Sequence, residues 1–85
     1  MTEVKDIKRF LLRALARTDG LPMPESSLIQ AAKDALVPRP LLSDIEQAKR
    51  ELEADGFTQG TRDELDGSVT WTLTTKGAHK AKQLG

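Results

Sequence analysis

The 85-residue chain carries thirteen Lys plus Arg against thirteen Asp plus Glu, so its formal net charge is zero. Hydrophobic residues make up 38% and charged residues 31%, which suits one small folded domain over residues 1–85 and excludes a disordered chain or a membrane-spanning helix, which needs about 20 consecutive apolar residues. The absence of Cys and the single His exclude disulfides, Cys-zinc sites, thiol nucleophiles and any site that needs two imidazoles.

Glu3–Arg17 reads as a helix. Val4, Ile7, Leu11, Ala14 and Leu15 recur at three- and four-residue steps, with Phe10 on their flank. Thr2 is positioned to cap its start, and Thr18-Asp19-Gly20 to end it, the glycine supplying positive φ. No leader pattern precedes this amphipathic segment, so the expected location is the cytoplasm. Leu21-Pro22-Met23-Pro24 is expected to be a rigid extended connector. A second helix over Pro24–Leu36 follows, with Pro24 in its first turn and a narrow face of Leu28, Ala31, Ala32, Ala35 and Leu36.

Val37-Pro38-Arg39-Pro40 reads as a tight turn into a third helix that runs to about Asp55. Pro40 suits the first helical position and Ser43-Asp44-Ile45-Glu46 matches a capping box. The earlier start is preferred, because it sets Leu41 one turn before Ile45 on a buried face with Ala48 and Leu52. Gly56 closes the helix. The period then falls from 3.6 to 2. Phe57–Arg62 reads as a strand with a bulge at Gly60, Asp63–Gly67 as a turn, and Ser68–Thr74 as a strand that alternates Val69, Trp71 and Leu73 with threonines. That phase puts Trp71 in the core. A last helix, Thr75–Leu84, shows Ala78, Ala81 and Leu84 on one face, with His79 at its surface.

This order is α+β. It resembles the winged helix-turn-helix superfamily: a three-helix core, a two-stranded hairpin wing and a short C-terminal helix. Two stretches carry the resemblance. Ile45-Glu46-Gln47-Ala48-Lys49-Arg50-Glu51-Leu52-Glu53-Ala54-Asp55-Gly56-Phe57 looks like a recognition helix passing through a glycine into the first wing strand. Trp71-Thr72-Leu73-Thr74-Thr75-Lys76-Gly77 looks like the second wing strand entering the last helix of small MarR- and PadR-type bacterial regulators. The resemblance covers roughly Glu3–Leu84. It implies the fold and, as the family's usual activity, DNA binding by a homodimer; the same fold also serves protein contacts.

On the resembled fold the third helix is the reader. At about 100° per residue, Ser43, Gln47 and Arg50 form its outer ridge, with Ala54 at the end and Glu46 beside it. Gln suits adenine, Arg suits guanine or a phosphate, and Ser suits a phosphate oxygen. Arg39, just before the helix, is placed to hold the DNA backbone. Lys5, Arg9, Arg13 and Arg17 recur every four residues along about 18 Å of the first helix, a stripe suited to phosphates or an acidic partner. Lys76, Lys80 and Lys82 add positive charge to the last helix. Leu12, off the buried face and beside the stripe, is a candidate contact between copies.

The hairpin is acidic, with Asp63, Glu64 and Asp66 at its tip against Arg62 alone. A wing tip that enters a minor groove usually presents Arg or Lys. Two readings follow. One is a small cytoplasmic DNA-binding transcriptional regulator, homodimeric, reading duplex DNA with its third helix (about residues 40–55). The other is a winged-helix adaptor that binds a protein partner through the acidic wing or the basic first helix. The three tip acids lack the 12-residue spacing and closing Glu of a calcium loop. Glu51, Glu53 and Asp55 point to different sides of one helix and cannot work as an acid–base pair. With no nucleophile triad, phosphate-binding glycine loop or metal triad in the sequence, neither an enzyme nor a cofactor or metal is expected.

Overall fold

The computed structural model describes residues 2–84. Its elements are α1 (Val4–Ala16), β1 (Met23–Pro24), α2 (Glu25–Ala35), α3 (Leu42–Ala54), β2 (Thr58–Arg62), β3 (Val69–Leu73) and α4 (Thr75–Leu84). The helices and the hairpin fall where the periodicity puts them. The chain leaves α1 through Asp19 at φ 53° and Gly20 at φ 85°, and leaves α3 through Gly56 at φ 81°, so both helices end on left-handed residues. The core joins Ile7, Leu11 and Leu15 of α1, Leu28 and Ala32 of α2, Ile45, Ala48 and Leu52 of α3, and Trp71 and Ala81.

Several local expectations are corrected. Thr2 does not cap α1. Its hydroxyl donates to the Pro38 carbonyl at 2.6 Å, and Glu3 is the capping residue, its backbone N–H donating to Asp6 Oδ2 at 3.2 Å. Leu21–Pro24 is not only a connector, because Met23 and Pro24 pair with Trp71 and Thr70. The sheet therefore has three strands in the order β1-β3-β2, and Pro24 sits on an edge strand, where its missing N–H removes no ladder bond that must be made. In α2, Ala35 is exposed, and in α4 Ala78 is exposed.

Two leucines exchange the environments expected for them. Leu41 is 61% exposed: α3 starts two residues after Pro40, at Leu42, so Leu41 is its extended N-cap, and Pro40 takes the buried position instead. Leu12 is 3% exposed, because α4 packs along the flank of α1 and widens its buried arc. Gly60 forms no bulge. It stands in regular register opposite Trp71, and a Cβ there would lie 3.0–3.2 Å from the indole ring. The glycine makes room for the tryptophan.

Lys49, unremarkable in the sequence, is 3% exposed. It pairs with Glu25 at the start of α2 and with Glu46 at 3.0 Å, and its ammonium lies 5.6 Å from the Trp71 ring centroid. It thus ties α2, α3 and β3 together. Either substitution leaves Glu25 and Glu46 without their cation, but an apolar side chain of similar length keeps the packing of the lysine stem against its buried surroundings. Both carboxylates keep some solvent, so the cost here falls below that of a fully buried pair. Lys49→Ala is expected to lower stability by about 2 kcal/mol, and Lys49→Met by less than about 1 kcal/mol, as read by urea unfolding. Equal losses in both variants would show that the ion pair, which both remove, and not the packing of the lysine stem holds the site.

Candidate nucleic-acid interface

α2 and α3, joined by the Leu36–Leu41 turn, form the helix-turn-helix. Because Ile45, Ala48 and Leu52 bury one side of α3, Ser43, Gln47 and Arg50 emerge together on its exposed side. The Gln47 amide is held in place: its Nε2 donates to Glu51 Oε2 at 2.7 Å. Glu51 Oε1 in turn lies 2.5 Å from the Lys8 ammonium on α1. The Lys8 contact, and after it the Gln47 hydrogen bond, holds the Glu51 carboxyl below its ordinary pKa. This leaves Gln47 its carbonyl oxygen and a second N–H. An adenine edge needs that pair of groups for its N6 amine and N7.

The acids of α3 are largely engaged elsewhere. Glu46 faces Lys49, Glu51 faces Lys8, and Glu53 accepts the Gly60 N–H at 3.2 Å. The formal excess of negative charge on this segment is therefore not concentrated on the ridge. Arg39 is exposed before α3, but its guanidinium turns back to α2, with Nε donating to the Lys33 carbonyl at 3.4 Å and an amino nitrogen 3.6 Å from Asp34. Sequence reasoning missed Leu42, 49% exposed beside the ridge. The start of α3 alone would have revealed it.

Lys5, Arg9, Arg13 and Arg17 are all exposed, but they do not act as one stripe. Arg13 donates to the Leu84 carbonyl at 3.0 Å, at the end of α4. Lys5 stands 3.4 Å from Glu3. Lys5 and Arg9 turn toward Lys80 of α4 around a cleft of about 230 Å³. A larger cleft, about 460 Å³, lies between Arg9, Phe10 and Arg13 of α1 and Leu36-Val37-Pro38.

At the wing tip, Asp63 and Asp66 shape the turn. Asp63 Oδ1 accepts the Leu65 N–H at 2.7 Å, and Asp66 Oδ1 accepts the Ser68 N–H at 2.8 Å. Hydrogen bonds from the Ser68 side chain and backbone keep the Asp66 carboxyl below its ordinary pKa. Glu64 makes no comparable turn bond among the described residues, and Leu65 between them is 97% exposed. The described residues contain no group of three or more His, Cys, Asp or Glu side chains placed to hold a metal ion. No described helix is long and apolar enough to cross a membrane.

No protein-family model matches the sequence, and no curated protein does. Among solved structures, the chain is similar to ZitR of Lactococcus lactis in its apo form, with a TM-score of 0.72 and 18% identity over 94% of this chain. It spans 55% of the ZitR chain. Four helices and a small three-stranded antiparallel sheet, superposing on ZitR over 94% of this chain, give it a winged-helix fold.

Proposed function

We propose that the protein is a cytoplasmic winged-helix regulator, one domain over residues 1–85, that binds duplex DNA and reads it with α3. The exposed Ser43–Gln47–Arg50 ridge carries this reading, with Gln47 held by Glu51 so that its free amide groups face outward. A helix laid in the major groove presents such a ridge to base edges, Gln47 toward adenine and Arg50 toward guanine or a phosphate. Arg39 serves the backbone once it leaves Asp34, an exposed pair that contributes little. The fold-level likeness to ZitR supports this reading. The wing contributes no phosphate contact, since its tip carries Asp63, Glu64 and Asp66.

The test is selection of bound duplexes from a random pool, followed by titration at two salt concentrations. Affinity is expected to fall steeply with salt. Arg50→Ala and Gln47→Ala are each expected to lose about 1–3 kcal/mol of discrimination at one base pair with the fold unchanged. Arg39→Ala should weaken all sequences alike. A folded protein that binds no duplex at low salt would sink the DNA reading and leave the adaptor, the reading that the acidic wing favours.

A further inference from the structure

The net charge of zero hides a separation. α1 and α4 carry most of the exposed cations, and the hairpin tip carries three carboxylates around an exposed leucine. The cleft between α1 and α4 is the complement of that tip. Its floor is apolar, built from Leu12, Leu52, Phe57 and Leu84, and its rim holds Lys5, Arg9 and Lys80 against a single acid, Asp55. Lys8 also reaches this rim but is engaged by Glu51, and Lys76 stands 4.8 Å over the Phe57 ring. At about 230 Å³ the cleft has room for one leucine-sized side chain.

The tip has the matching form. Leu65 is 97% exposed, flanked by Glu64 and Asp66. The turn bonds made by Asp63 and Asp66 fix the backbone beneath it, so little freedom remains to be lost on docking. A chain cannot fill its own cleft in this way. Phe57 lines the cleft, and the five residues of β2 carry the tip about 17 Å beyond it. A leucine left in water on a rigid acidic loop, and an apolar-floored cleft with a basic rim on the same molecule, fit each other only between molecules.

We propose that the wing tip of one copy docks in the α1–α4 cleft of a second copy, with Leu65 on the apolar floor and the tip carboxylates facing Lys5, Arg9 and Lys80. The occupant is this chain itself, because the charge and the apolar knob that the cleft requires are both present on it. The contact removes the acidic tip from any bound duplex and leaves the outer ridge of α3 free. It is independent of the DNA reading, since no residue of that ridge takes part.

Sedimentation equilibrium of the whole chain at low and at high ionic strength tests this. The wild type is expected to associate at low salt and to dissociate as salt screens the pairing. Leu65→Ser is expected to weaken association by about tenfold or more, as are Glu64→Lys and the double variant Arg9→Glu/Lys80→Glu. Glu64 and Leu65 are chosen because their side chains make none of the turn bonds, and circular dichroism checks each fold. Mixing the Glu64→Lys chain with the Arg9→Glu/Lys80→Glu chain pairs one intact tip with one intact cleft. The mixture is expected to associate more tightly than either variant alone. A wild type that stays monomeric at low salt overturns the proposal, as does association indifferent to Leu65→Ser or a mixture no tighter than its components. Arg50→Ala, which tests the DNA reading, is expected to leave self-association unchanged, so the two ideas fail separately.

Discussion

Trp71→Ala is expected to cost about 3–5 kcal/mol. A domain of this size holds only about 4–13 kcal/mol in total, so the variant should be largely unfolded well below the wild-type melting temperature. The magnitude follows from where the ring lies. Trp71 is 7% exposed, rests on Gly60 on one side and faces the Lys49 ammonium on another, and its backbone is the register partner of both Met23 and Gly60. Deleting it opens a void at the junction of α3 with all three strands. Gly60 has no side chain with which to refill that void, and water admitted there loosens Lys49 from Glu25. Trp71→Phe, which keeps a ring over Gly60, should cost distinctly less. Thermal melts followed by circular dichroism decide the matter, and an Ala variant melting within a few degrees of wild type would contradict this account of the core.

Gly77→Ala is the second large effect, and its sign runs against local propensity. Gly77 lies inside α4, where exchange of glycine for alanine ordinarily gains about 1 kcal/mol. Here a Cβ would stand 1.8 Å from the Phe57 carbonyl oxygen and 3.1 Å from Leu73 Cδ2. The first of these is a backbone atom, already accepting the Thr74 N–H at 3.1 Å, and it cannot rotate aside. The helix must lift off the base of the wing. That movement strains the Thr74 hydroxyl, which accepts the Gly77 N–H at 3.0 Å and donates to the Gly56 carbonyl at 2.6 Å. Overpacking of this kind outweighs the propensity gain, and a net loss of about 3 kcal/mol is expected. Hydrogen exchange should show α4 opening before the rest of the fold. A variant more stable than wild type would mean that α4 is not seated on Phe57 as described.

Most elements were legible because they are periodic. The four helices repeat their apolar residues over ten or more positions, and the strand with Trp71 alternates cleanly, so pattern alone located them and buried the tryptophan. The exposed ridge of α3 followed directly, since fixing Ile45, Ala48 and Leu52 inward fixes Ser43, Gln47 and Arg50 outward. What escaped was set by contacts distant in sequence. Met23 and Pro24 are a strand only because Trp71 and Thr70 lie beside them, and two residues with a proline carry no periodic signal. Leu12 is buried by α4, more than sixty residues later, and nothing on α1 announces it. Lys49 counts as one more surface charge until α2 brings Glu25 to it. Gly60 satisfied a local rule for bulges, but the space it leaves is occupied by its cross-strand partner.

The wing was the harder feature to interpret from sequence. Its acids could be counted, but counting does not separate those that brace the turn from those free to meet a partner. Asp63 and Asp66 do the first. Glu64 and Leu65 are left for the second, and that division directs substitutions to these two positions.

The placement of Lys49 against the indole has an optical consequence. The chain has one tryptophan and no tyrosine, so its near-ultraviolet emission arises from one ring with one cation beside it, the cation belonging to the helix proposed to meet DNA. A tilt of α3 against the sheet changes the distance between that ammonium and the excited ring, and with it the wavelength and yield of the light emitted. The protein therefore carries an unlabelled gauge of its own helix-turn-helix geometry. Emission recorded during a duplex titration should separate rigid docking, which leaves the spectrum in place, from docking that re-seats α3, which shifts it. Lys49→Met serves as the control in which the cation's contribution is lost.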